Sequence, residues 1–192
     1  ERIFLLPVEH IDLENPDSRN ELLGLSNVYN GGKPMKNYYS SSGQYLFTNL
    51  VLFNAADGTS ISVFDSRVSI SNYSLLKRSG ISYLVIFGAT DDSNKNGYLD
   101  QGDQQHSYIY QLDQHKLDKI QQPDNWTALS INSYEGGEEI IIKFGVDRNE
   151  DGVYNRIEEP GIIQLLDIER NALKAIVPPE QINQMQRLLE GE

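Results

Sequence analysis

The chain contains no cysteine. That removes disulfides, thiol nucleophiles and cysteine-ligated zinc, and it leaves the compartment open. Basic residues are scarce. Sixteen Lys and Arg face 28 Asp and Glu, for a formal charge of −12 and a pI near 4.6. Phosphate backbones need a basic footprint, so no nucleic-acid partner is expected. No apolar run reaches the roughly 18 residues of a membrane helix, so no membrane span is expected either. Neither a Gly-x-Ser-x-Gly elbow nor a phosphate-cradling glycine loop occurs. The three histidines, His10, His106 and His115, have no metal-ligand spacing. The chain opens on Glu1 without Met or an apolar leader, the start expected of a processed protein or of an expressed fragment.

What the chain has instead is oxygen. In "DDSNKNGYLDQGD", donors fall at Asp92, Asn94, Asn96 and Asp100, with Gly97 directly after the third. This is the Asp-x-Asx-x-Asx-Gly opening of a calcium loop. Calcium takes six to eight oxygens at about 2.3–2.6 Å, so the chain must curl around it. Alternate side chains then point inward, and the glycine allows the sharp turn. Tyr98 would add its carbonyl, and Asp103 stands at the twelfth position, where a carboxylate closes the shell. "DRNEDGVYNRIEE" repeats the pattern with Asp147, Asn149, Asp151, the Val153 carbonyl, Asn155 and Glu158. Two sites for Ca2+ are expected. The second should be tighter, because Glu158 chelates where Asp103 is shorter. Plain solvated turns, rich in Asp, Asn and Gly, are the competing reading.

The loops are like those of EF-hands, but the flanks are not helical. "ISYLVIFG" and "EEIIIKFG" precede them, and both are short β-branched and aromatic runs that read as buried strands. After the loops, "SYIYQLDQHKLDKIQQP" and "GIIQLLDIERNALKAIVP" share a strand ending in Leu-Asp, a polar turn, a second strand and a proline. The offset of about 55 residues marks a repeat architecture. A third copy, "TNLVLFNAADGTSISVFDSR", carries Asp57-Gly58 in its turn, a strong hairpin signal. "RIFLLPVEHID" supplies its preceding strand.

These runs resemble the TolB-type, WD40-like propeller repeats of exported bacterial proteins, over roughly residues 45 to 178. The resemblance implies an all-β fold of antiparallel, four-stranded, blade-like repeats. About three units are visible, a propeller-like or partial-propeller array, where closed propellers have about four to eight blades. The expected organisation is one domain, 1–192, with units 1–66, 67–123 and 124–178 and a short C-terminal helix over 180–189. An extracytoplasmic location, periplasmic or at the cell surface, accords with weak calcium loops, since calcium there is near millimolar.

Two segments stand apart. Tyr29, Tyr38, Tyr39 and Tyr45 lie in a long polar stretch that reads either as an adaptable contact surface or as a poorly ordered loop. In "PPEQINQMQRLLEGE", Ile182, Met185, Leu188 and Leu189 recur at helical spacing. This helix is expected to cap an open end of the array, so that a capped monomer is favoured over a homodimer. The resulting functional expectation is a calcium-binding binding or scaffold module with a protein or carbohydrate partner. The rivals are a carbohydrate-active hydrolase and a calcium-regulated interaction protein. No catalytic residue is legible. The carboxylate pairs Asp91-Asp92 and Glu158-Glu159 imitate a glycosidase pair but sit inside the loops.

Overall fold

The computed structural model describes residues 3–9, 47–133 and 139–190. Among these residues the structure is antiparallel all-β, in two sheets with one C-terminal helix and no closed barrel. The tyrosine-rich stretch lies outside the described residues.

Strands β1 (Ile3–Glu9), β2 (Phe47–Asn54) and β3 (Thr59–Ser62) form a three-stranded ribbon with β2 central. Strands β4 (Ser69–Arg78), β5 (Ile81–Ala89), β6 (His106–Gln111) and β7 (Lys116–Lys119) follow as a four-stranded meander. The ribbon and this meander count as one sheet only through the pair Phe47↔Ile70. The second sheet is another four-stranded meander: β8 (Trp126–Ser133), β9 (Ile140–Val146), β10 (Gly161–Asp167) and β11 (Ala172–Ala175). The two loops with calcium-like spacing are therefore the β5–β6 and β9–β10 connections, held between strands as expected.

The hairpins β2–β3, β6–β7 and β10–β11 repeat closely. Gly58, His115 and Asn171 each take a positive φ immediately before β3, β7 and β11. At Gly58 the missing Cβ removes the strain, and the Asp57 carboxylate accepts the Thr59 N–H at 2.9 Å to close the turn.

Packing places the three groups face to face. One cluster joins Leu5, Leu50 and Leu52 of the ribbon to Leu84, Ile86, Tyr108 and Tyr110 of the first meander. A second joins Val85, Phe87 and Ile109 from the opposite face of that meander to Ile140, Ile142, Phe144 and Leu166. Strand β5 is covered on both faces, and Leu84, Val85, Ile86 and Phe87 are fully buried. This is why it reads as a continuous apolar run rather than an alternating one. Each such side chain contributes about 1.5–3 kcal/mol by burial.

Helix α1 (Pro179–Glu190) opens on a proline, whose fixed φ suits the first turn. Ile182 and Leu188 are exposed. These two residues of the expected cap therefore lie in solvent rather than over a sheet. Among the described residues no helix is long and apolar enough to cross a membrane.

Candidate functional site

In the first loop the side chains gather backbone donors. Asp92 accepts the Asn96 N–H at 3.1 Å through Oδ1 and the Gly97 N–H at 2.9 Å through Oδ2. Asn94 and Asn96 accept from Asn96 and Tyr98 in turn, at 3.0 and 2.7 Å. Lys95 and Gly97 take positive φ values of 57° and 88°, which curl the chain. The second loop has the same design. Asp147 accepts from Glu150 at 2.7 Å and from Gly152 at 2.9 Å. Asn149 and Asp151 accept from Asp151 and Val153 at 3.2 and 2.9 Å. Glu150 and Gly152 repeat the positive φ values, at 57° and 84°. Tyr98 and Val153 project outward, as positions that offer only a carbonyl would.

Each loop is closed by a carboxylate clasp. The buried Asp103 accepts the Ser93 N–H at 2.9 Å and the Asn94 N–H at 3.3 Å through Oδ1. Its Oδ2 accepts the Asp100 N–H at 2.9 Å. The counterpart in the second loop is Glu159. Its Oε1 accepts from Arg148 and Asn149 at 2.7 and 3.4 Å, and its Oε2 from Asn155 at 2.8 Å. Glu158, the twelfth position by count, only accepts from the Asn155 Nδ2 at 3.0 Å. Glutamate is one methylene longer than aspartate, so it reaches the same three donors from one residue further along. The Asn155 N–H, ahead of those of Arg148 and Asn149, holds the Glu159 carboxyl below its ordinary range.

The two loops touch. Ser93 Oγ is 3.3 Å from the Gly152 carbonyl oxygen, which it can donate to, and it accepts the Gln104 N–H at 2.8 Å. Between loops and strands lies a cleft of ≈ 280 Å³. Ser71, Gln105, Asn125, Thr127 and Tyr154 contribute to its wall, together with Asp103 and Asp147. The Gln105 Oε1 is buried there without a protein donor. The Tyr154 ring lies over Gly145, where a Cβ would meet it at 2.5 Å.

The remaining expected residues are placed plainly. Asp91 accepts the Thr90 hydroxyl, and its neighbour Asp92 is engaged within the loop, so the pair does not face a shared substrate position. His115 Nδ1 lies 3.3 Å from the Tyr110 hydroxyl at the β6–β7 hairpin. His106 is half-buried, and His10 lies outside the described residues. Among the described residues no three His, Asp or Glu side chains converge as a metal-ligating group. Counting from the first Asp of each loop identified the turn residues. It missed Glu159, Ser93 and Gln105, whose roles depend on reach and on the packing of one loop against the other.

The fold defines the class of protein as an antiparallel β-repeat array with paired acidic loops at one junction. No family model matches the chain, and no curated protein or solved structure matches it.

Proposed function

We propose that the chain is a calcium-binding β-repeat module that serves as the binding or scaffold domain of an exported bacterial protein. One observation carries this reading: two loops one repeat apart hold equivalent backbone N–H groups with equivalent Asp, Asn and clasp carboxylates. Asx turns alone do not require a clasp or two copies.

The first site would draw on Asp92, Asn94, Asn96, the Tyr98 carbonyl and Asp100, with Asp103 as clasp. The second would draw on Asp147, Asn149, Asp151, the Val153 carbonyl and Asn155, with Glu159 as clasp. The split between Glu158 and Glu159 supports a tighter second site. In the first loop both Asp103 oxygens accept backbone N–H groups, so clasp and closing ligand fall on one residue. In the second loop Glu158 is left as a separate carboxylate able to chelate. Bound only by the folded state, calcium would stabilise it by mass action and stiffen the junction between the meanders.

Titration calorimetry with calcium tests the reading. Two uptake events at up to millimolar calcium, the tighter one lost in Asp147→Ala, are expected, with a Tm that falls when chelator is added. No heat at millimolar calcium and an unchanged Tm with chelator would overturn it.

A further inference from the structure

The hairpins set a common register for the three strand groups. Aligning Thr59, Lys116 and Ala172, each directly after a positive-φ residue, makes Leu52, Ile109 and Leu165 equivalent. The pairings across to β1, β5 and β9 then make Leu5, Val85 and Ile141 equivalent as well. These positions, with Leu50, Ser107 and Ile163, define a front face on each group. The alternate positions define a back face: Phe4, Leu6, Val51 and Phe53 on the ribbon, and Leu84, Ile86, Tyr108 and Tyr110 on the first meander. Ile140, Ile142 and Leu166 are their counterparts on the second meander.

Burial of the large apolar side chains on the central strands follows this scheme. The front faces of the ribbon and the first meander are buried, each against the back face of the next group. On the second meander the front face is buried only at its loop end, at Gly145 and Thr127. Ile141 and Leu165 are half-buried, Lys143 lies between them, and Ile163 is 53% exposed. At the other end, Phe4, Leu6, Val51 and Phe53 of the ribbon's back face are all only half-buried. Among the described residues the array thus repeats one interface, front on back, and leaves one open face of each kind.

We infer that the open front face of the second meander is an interaction surface for a second copy of this chain, which docks through the back face of its ribbon. The open front face continues an interface used twice inside the chain, so the shape that covers it is already specified: the back of a ribbon or meander of this kind. The open back face of a second copy has that character, with Phe4, Leu6, Val51 and Phe53 at the positions that Leu84, Ile86, Tyr108 and Tyr110 occupy when they cover the ribbon. Joining unlike faces is a heterologous contact, and a two-copy ring satisfies both open ends at once. Six strand groups then fall within the range of closed β-rings. The shared charge of −12 opposes the contact at long range, so salt that screens it favours the dimer.

The absence of cysteine makes a direct test clean. Ile163→Cys and Val51→Cys are prepared separately and mixed under mild oxidation, while light scattering follows the mass of the unmodified chain. The expected result is a mass twice the 21.8 kDa of one chain, with disulfide-linked dimers in the mixture and none from either variant alone. Ile163→Asp should halve the mass without changing the circular dichroism, whereas Leu188→Glu on the exposed helix should leave the dimer intact. A single-chain mass at every concentration would overturn the inference. So would self-linking of Ile163→Cys, which signals like faces meeting, or dissociation by Leu188→Glu with Ile163→Asp still dimeric, which signals a helix-borne contact.

Discussion

Gly152 stands against Ser93 so closely that a Cβ on the glycine would lie 2.6 Å from the Ser93 carbonyl oxygen. Its counterpart Gly97 has a nearly identical φ, +88° against +84°, yet a Cβ there would meet nothing within 4 Å. The two glycines share a backbone demand, and only one carries an interloop contact. Gly97→Ala should therefore cost about 1–2 kcal/mol, the left-handed strain alone. Gly152→Ala should cost more, because the backbone of one loop must also move away from the other. Urea unfolding of both variants checks this. Equal losses would mean that the loops separate freely.

The clasp and the twelfth position of the second loop are separable by mutation. Glu159→Gln keeps the length but weakens charge-assisted bonds to Arg148, Asn149 and Asn155, so the loop should loosen even without metal. Glu158→Gln should leave the metal-free loop unchanged and weaken only calcium uptake. Amide exchange at Arg148 and Asn155 distinguishes them: faster in Glu159→Gln, unaltered in Glu158→Gln.

His106 should impose an acid-side loss of stability. Burial first, then the charge of Lys119, holds its imidazole below the ordinary 6.5, while Asp91 and Asp124 pull the other way. The folded chain therefore takes this proton less readily than the unfolded one. Above pH 6.5 neither state is charged and nothing is lost. As the pH falls below that value the unfolded state is favoured, until the depressed folded value is passed. His106→Gln should flatten the dependence of stability on pH just below 6.5. An unchanged slope would assign it to other groups.

Phe87 and Phe144 sit in the same buried cluster from opposite sides of the interface between the meanders. Each truncation to Ala should cost about 3–5 kcal/mol. Because the two cavities share neighbours, the double variant should depart from the sum by about 0.5–3 kcal/mol in chemical denaturation. Strict additivity would mean that the two meanders do not share one core.

Strand-flanked loops, hairpins and antiparallel repeats were legible in the chain, because each rests on local chemistry. Asp-Gly at 57–58 specifies a turn, and β-branched runs such as "ISYLVIFG" cannot be amphipathic helices. The Asp-x-Asx-x-Asx-Gly spacing dictates Asx turns whatever surrounds them. The facing of the strands was not legible. The Phe-Gly pairs at 87–88 and 144–145 look equivalent, yet Phe87 points to the front and Phe144 to the back. Side chains alternate along a strand with a period of two, so a one-residue offset in register exchanges the faces. Tertiary structure likewise decided that Glu159 rather than Glu158 clasps its loop, since reach is measured in space and not along the chain. The spacing predicts a helix over 180–189, which the structure extends to Pro179–Glu190, but it does not place Ile182 and Leu188. Periodicity names an apolar stripe, and only the packed neighbours determine whether anything covers it.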